Sequence, residues 1–357
     1  MMTAENNRPA TIRAYTLTAA DARLANALRK LGFGTLSAQL GPRGLRLMAA
    51  DYVAYFKAET GLTYAAAGVI YDTLKGGDSL SVADGGRLCL ARSGVANGLQ
   101  PGHLADDWLE FVESEAVPTG VQVASTTLAQ LAKSSTDRSY HYGASVCVDV
   151  LGGVWATDGA RLATYGCQHL ADGADPQTCQ LDSVLVTAMA AYRTGWALNR
   201  LLLGWMLASD NVLVSLPGAK DGTPAVGRIM AADYEPTTLA WELSPAEAMQ
   251  IAKAIRSAIR GFMGKKADLR ADVHLGGVEL WDSSSRHQLV AQIDAYVARA
   301  SALRIDPAYL ADLLETMAAR ENVTAIVLRQ GGEGRAIEAR APGADAAYYL
   351  MPLRNDR

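Results

Sequence analysis

The feature that most constrains this chain is a recurring order of helix-like and strand-like segments. Helical patterns begin at Ala19, Ala65, Thr126, Ala188, Pro245 and Pro307, and subtracting successive first residues gives spacings of 46, 61, 62, 57 and 62. Each is followed by short alternating segments punctuated by Gly, Asp or Asn. Spacing this regular argues for internal repetition even where the residues differ. The expected helices cover 19–31, 65–75, 126–134, 188–203, 245–263 and 307–317. Thr18 is placed to cap the first, and Ser244-Pro245 is a strong start for the fifth, with Ser at the cap and Pro in the first turn. Strands are expected at 12–17, 35–40, 45–56, 145–151, 181–186 and 211–216, with a hairpin over 80–91 turning at Asp84-Gly85-Gly86. The pattern implies an α+β protein of two or three domains.

The chemistry is sparse. No phosphate-binding Gly loop ending in Lys-Ser or Lys-Thr, no GxSxG elbow and no HExxH occurs. The histidines His103, His141, His169, His274 and His287 are scattered. Cys167, His169 and Cys179 lack a fourth ligand and the close pairing of a zinc site, so reduced, buried thiols are expected. No catalysis, cofactor or metal follows from these residues. The longest apolar run, 201–208, is broken by Gly204 and is too short to span a bilayer, and the first residues form no apolar signal region. A cytoplasmic protein without a membrane partner is the expectation.

Two stretches carry a more specific message. Residues 155–163 read WATDGARLA, in which Asp158-Gly159 is a hairpin turn because Gly tolerates positive φ. Residues 346–354 read AAYYLMPLR, apolar almost to the end of the sequence, where termini are usually polar and frayed. Together they resemble the bacterial β sliding clamp, the ring-forming processivity factor of the replicative DNA polymerase. That family's TDGHRL-type turn is matched by Thr157, Asp158, Gly159, Arg161 and Leu162, with Ala160 in place of His. Its MPMR-type tail is matched by Met351, Pro352, Leu353 and Arg354, with Leu353 in place of Met. The resemblance covers roughly residues 120 to 357 best. In the first domain Gly32-Phe33-Gly34 joins helix to strand directly, and 93–101 is short and Gly-rich.

The resemblance implies a DNA clamp fold of three similar domains, 1–117, 118–240 and 241–357, each with two helices on antiparallel sheets. It implies a client-peptide pocket formed by Trp155, Thr157, Gly159, Ala160, Arg161, Leu162, Tyr349, Met351, Pro352, Leu353 and Arg354, with Pro236 and Leu239 near the rim. Apolar anchors in a preformed hollow bind short peptides with little ordering cost. Met suits a site for several partners because its side chain adapts. Arg161 and Arg354 are expected to hold peptide carbonyls or an acidic flank.

Family helices line a hole through which duplex DNA passes, making Arg23, Lys133, Arg138, Tyr142, Arg193, Arg200, Lys253 and Arg256 the expected DNA-facing residues. Arg138 and Tyr142 match a DNA-facing loop. The family's basic pair before the fourth helix corresponds to Ala188 and Met189 here, which weakens the expected attraction. The net charge of −4 argues against a simple basic DNA-binding module but not against a ring with cations inside. Phe262 and Met263 match a position at the head-to-tail homodimer interface. The implied function is a non-catalytic clamp whose partners are DNA, a DNA polymerase, other peptide-motif clients and a clamp-loader ATPase. The alternative is a clamp-derived decoy or adaptor that binds peptides without encircling DNA.

Overall fold

The computed structural model describes residues 14–353 except 84, 94, 102–107, 134–144, 172–176, 219–225, 233, 237, 266–267, 285–287, 301–302, 321, 333–334 and 343–344. Arg138, Tyr142 and Arg354 lie outside the described residues. In chain order the elements begin with β1 (Ala14–Thr16), α1 (Ala19–Leu31), β2 (Leu36–Gly41), β3 (Gly44–Ala49), β4 (Tyr52–Lys57), β5 (Ala66–Ile70), β6 (Ser79–Ala83), β7 (Arg87–Arg92), β8 (Val95–Gly98) and β9 (Gln100–Pro101). Next are α2 (Trp108–Glu115), β10 (Val117–Ala124), α3 (Ser125–Ala132), β11 (Ser145–Asp149), β12 (Val154–Thr157), β13 (Arg161–Tyr165), α4 (Gln168–Ala171), β14 (Thr178–Asp182) and α5 (Ser183–Met189). A 3₁₀ turn (Ala190–Tyr192) leads to β15 (Gly195–Leu201), β16 (Gly204–Ala208), β17 (Val212–Pro217), α6 (Gly227–Met230), β18 (Leu239–Leu243) and α7 (Pro245–Gly261). The last are β19 (Leu269–His274), β20 (Gly277–Asp282), β21 (Gln288–Asp294), β22 (Arg299–Ala300), β23 (Leu303–Ile305), α8 (Pro307–Ala318), β24 (Ile326–Gln330), β25 (Ile337–Arg340) and β26 (Ala346–Leu350).

Contacts divide the chain into two compact units, Met1–Thr126 with Val184–Ala219 and Thr127–Ser183 with Lys220–Arg357. Each unit holds one nine-stranded and one four-stranded antiparallel sheet. In the first unit these run β9-β5-β2-β3-β4-β17-β16-β15-β10 and β1-β6-β7-β8. In the second they run β14-β11-β12-β13-β26-β25-β24-β18-β22 and β23-β19-β20-β21. The two large sheets share a plan. The set β5-β2-β3-β4 joins β17-β16-β15-β10 in one, and β14-β11-β12-β13 joins β26-β25-β24-β18 in the other. The seams are β4 against β17, with Val53 opposite Ser215 and Phe56 opposite Val212, and β13 against β26, with Arg161 opposite Leu350 and Tyr165 opposite Ala346. Repetition is visible in the strand order of the sheets, whereas four of the five helix spacings rest on starts at 65 and 188 that are not helix starts in the structure.

Four expected helices form close to their predicted bounds. The caps explain the starts: Thr18 with Asp21, and Ser244 with Glu247, are reciprocal capping boxes, and Asp306 accepts from the amides of Ala308 and Tyr309 before Pro307 opens α8. The buried faces of α7 (Ala248, Ile251, Ala252, Ile255) and α8 (Leu310, Ala311, Leu313, Leu314, Met317) follow helical spacing.

Two expected helices are corrected. Residues 66–70 form β5, with alternating burial and a full pairing to β2 from Leu36 opposite Ile70 to Leu40 opposite Ala66. The Ala-rich composition suggests a helix, but the alternating burial and sheet contacts decide. The segment 188–203 ends α5, passes through Arg193 at φ 53°, and becomes β15 and its turn. Within it Trp196 and Leu198 are buried in strand alternation. The neighbouring expectation of a strand over 181–186 shifts accordingly: β14 stops at Asp182 and α5 begins at Ser183. The single strand expected at 45–56 is two, turning at Ala50-Asp51, and α2 had no counterpart in the sequence reading.

Candidate functional site

The WATDGARLA stretch and the apolar tail are brought together in the second unit. Gly159 holds φ 86°, which the turn requires. Asp158 organises that turn from within: its Oδ1 accepts from the amides of Ala160 (3.1 Å) and Arg161 (3.0 Å), and its Oδ2 accepts from Arg161 Nε at 2.7 Å. Thr157 Oγ1 accepts from the Gly159 amide and donates to the Arg161 carbonyl. The loop is therefore longer than a two-residue turn: Thr157 pairs with Leu162. β26 runs beside β13, and beyond its end the Met351 amide donates to the Ala160 carbonyl at 2.8 Å while the Leu353 amide donates to the Arg304 carbonyl at 2.9 Å. The tail is pinned by backbone hydrogen bonds.

Beneath this seam lies one apolar cluster. Trp155, Leu162 and Tyr349 pack with Cys147, Cys167, Leu170, Val226, Met230, Tyr234, Ala336 and Ala347. The rings of Tyr234 and Tyr349 are 5.6 Å apart, tilted at 47°, and Tyr234 donates to the Ile229 carbonyl. Trp155, Leu162 and Tyr349 are buried in this cluster. The surface of the site consists of exposed Gly159 and Met351, the latter 42% exposed, with half-buried Thr157, Ala160, Pro352 and Leu353. Burial pushes the Cys147 and Cys167 thiols up to about 12, and Cys179 well above its usual value. All three are free and buried, and no group of residues fit to hold a metal ion occurs among the described residues.

Two expectations about this site change. Arg161 does not reach outward. Its guanidinium is buried, ion-paired to Asp158 and Asp312, and sits 4.3 Å over the Tyr309 ring. Burial alone would lower its pKa, but Tyr348, Asp158 and Asp312 more than offset this and raise it. Leu239 is fully buried in β18, four strands from β13, or about 19 Å at ordinary strand spacing. It belongs to the sheet core and not to the rim. Pro236 is exposed, and its carbonyl accepts from Arg299 at 2.9 Å. The sequence reading missed Tyr234, Met230, Val226 and Leu170. The available signal was an aromatic residue, Tyr234, in an otherwise polar linker.

Comparison with solved structures matches this arrangement along its whole length. The DNA polymerase sliding clamp of Bacillus subtilis is 12% identical, with 97% of this chain and 100% of that chain covered at a TM-score of 0.63. The DNA polymerase III beta subunit of Streptococcus pyogenes is 10% identical, with 96% and 100% covered at 0.63. The sliding clamp of Pseudomonas aeruginosa bound to griselimycin is 14% identical, with 96% and 100% covered at 0.62. This chain has the sliding-clamp fold. No protein-family model matches the sequence, and neither does any curated protein. The likeness is one of fold at low identity.

Among the residues expected to face DNA in a clamp, Arg23 on α1, Lys133 after α3, Arg193 and Lys253 on α7 are exposed. Arg200 is exposed but lies on β15, so helix membership no longer places it in a DNA-facing set. Arg256 is half-buried and shared between Asp312 and Glu315 of α8, the latter at 3.3 Å. Its charge is largely neutralised within the protein. Phe262 ends α7 in extended conformation, and Met263 is 99% exposed. Among the described residues no helix is long and apolar enough to cross a membrane.

Proposed function

We propose that this protein is a DNA sliding clamp: a non-catalytic, cytoplasmic processivity factor. Two copies close head to tail around duplex DNA, a clamp-loader ATPase opens the ring, and a polymerase and other clients dock by short peptides at the Gly159–Leu353 surface. Three repeats, 1–117, 118–240 and 241–357, account for the shared plan of the large sheets. The observation that carries the reading is a pair of complementary free edges. In the repeated plan β21 occupies the place of β4 and β13, and β8 the place of β17 and β26. In the large sheets those places are joined, whereas β8 and β21 end the four-stranded sheets. β8 is exposed throughout, and β21 is mostly exposed or half-buried. A two-copy ring lets β8 of one protomer meet β21 of the other, which removes both open edges. Exposed Met263 supports an apolar contact near the same junction.

Native mass across a dilution series tests the ring: a stable dimer is expected. A monomer at every concentration would refute closure and favour the adaptor reading. One observation points towards that second reading: Arg256 is ion-paired to Asp312 and Glu315, which leaves Arg23, Lys133, Arg193 and Lys253 as the exposed cations on or beside the helices of the expected set among the described residues. Contacts of such cations with phosphate are non-specific and salt-sensitive, and a closed ring tolerates their weakness because topology retains it.

A further inference from the structure

The first unit contains a hollow of about 320 Å³ at the seam of its own large sheet. This is at the lower end of small-ligand pockets, which run from about 300 to 1,000 Å³. Asp51, in the turn between β3 and β4, and Leu216-Pro217, at the end of β17, line it. In the repeated sheet plan these places correspond to the β12–β13 turn and the end of β26, where Gly159 and Met351 lie. The correspondence extends to the apolar packing. Val112 of α2 packs with Tyr55, Met206 and Leu213, as Val226 and Met230 before β18 pack with Trp155, Leu162 and Tyr349. The hollow is thus the internal counterpart of the client surface, built from different residues.

Its lining says what it would take. Leu202 and Leu203, in the two-residue turn between β15 and β16, line it while remaining 78% and 87% exposed. Water-facing leucines beside a hollow are a docking signature. The charge at the rim is of one sign. Asp51 and Glu115 line the hollow, both are exposed, and neither forms an ion pair among the described residues. The nearby Glu113, by contrast, is paired with Arg43 at 2.9 Å and Lys57 at 3.3 Å.

We infer that this hollow is a second docking site, for a short partner-protein peptide with an aliphatic or aromatic anchor flanked by lysine or arginine. The anchor fills the space between Leu203 and Pro217, and the flanking cations meet Asp51 and Glu115. From the proposed clamp function the inference takes only the expectation that such a seam receives peptides. Its geometry is that of the first unit alone.

The test is fluorescence anisotropy of the full chain with a labelled Lys-Leu-Phe-Leu-Lys pentapeptide. Binding is expected to weaken about tenfold or more, a loss of about 1.4 kcal/mol, in Leu203→Asp. The loss should be similar in the double variant Asp51→Lys, Glu115→Lys. That double variant should instead bind the counterpart peptide with glutamates in place of lysines. All three positions are exposed, so folding is preserved, and circular dichroism verifies it. Met351→Asp, which alters the other seam, should leave affinity for the lysine peptide unchanged. No anisotropy change at the highest soluble protein concentration would overturn the inference. So would binding that is lost in Met351→Asp and kept in Leu203→Asp, which would leave the client surface standing as the peptide site. Equal affinity for the lysine and glutamate peptides would also overturn it.

Discussion

Asp312 offers the most direct test of how the second unit is held together. One carboxylate on α8 accepts from Arg161 of the β12–β13 turn and from Arg256 of α7. Tyr309, Asp312 and Glu315 lie at three-residue spacing and so share one face of α8. Asp312→Ala leaves Arg161 ion-paired to Asp158 and Arg256 to Glu315. Breaking a buried ion pair by removing one partner costs about 3–5 kcal/mol, because a charge stays buried without compensation. Asp312 keeps 17% of its side chain exposed and each arginine keeps one acid, so the lower end, about 3 kcal/mol, is expected. The raised pKa of Arg161 keeps it charged at any ordinary pH, so it does not escape the cost by losing its proton.

Hydrogen exchange read by mass spectrometry suits a chain with two units, in which a single unfolding free energy is poorly defined. At about 1.4 kcal/mol per tenfold, the amides of β12, β13 and β26 should exchange on the order of 100-fold faster. Those of β2, β3 and β4 in the first unit should not change. Protection that fell less than about tenfold would mean that the arginines are solvated and the network contributes little. Equal loss in both units would mean that Asp312 acts globally.

Other outcomes follow from the same geometry. Charge reversal at Lys253 should reduce DNA affinity at low salt, whereas Arg256→Glu should first destabilise the α7–α8 pairing, seen as a lowered urea midpoint; an unchanged midpoint would show Arg256 to be free. Gly227→Ala would place a Cβ 2.3 Å from the Leu170 carbonyl oxygen, forcing α4 and α6 apart at a cost of about 1–3 kcal/mol, measurable by denaturant titration and absent if the loop yields. Met263→Lys should shift the native mass towards monomer without altering the circular dichroism spectrum; an unchanged dimer would place the interface elsewhere. The thiols of Cys147 and Cys167, with pKa values pushed up to about 12 by burial, should resist Ellman's reagent until the chain unfolds. Since their folded values are raised, the stability they contribute is full below the unfolded thiol range, about 8.5, and is lost as pH climbs towards 12; rapid native labelling would contradict their burial.

What the sequence revealed and what it concealed divide along a physical line. Helices with their own start signals were legible: Thr18 with Asp21, Ser244 with Glu247 and Asp306 before Pro307 each specify a local structure that the fold only has to accept. The 66–70 and 195–201 segments had no such signals, and their strand identity depends on partners distant in sequence, β2 for the first and β10, beside the adjacent β16, for the second. Gly68 shows how close distant segments come: a Cβ there would lie 2.9 Å from Leu99 Cβ. The site shows the same division. The turn and the tail were legible because Asp158-Gly159 and the late apolar run are local anomalies, and the structure sets them side by side as β13 against β26. The role of Arg161 was not legible, because it depends on Asp312, 151 residues away. A cation in a surface turn looks like a hand held out to a ligand until the acid that has already taken it is known. The second hollow was hidden for the same reason. Leu201-Leu202-Leu203 looks like the end of a helix in sequence, and only when 195–201 is a strand does the turn bring two leucines to the seam beside Asp51. The repeat is carried by strand order and neither by residue identity nor by helix spacing, so a site present once by motif can be present twice by architecture.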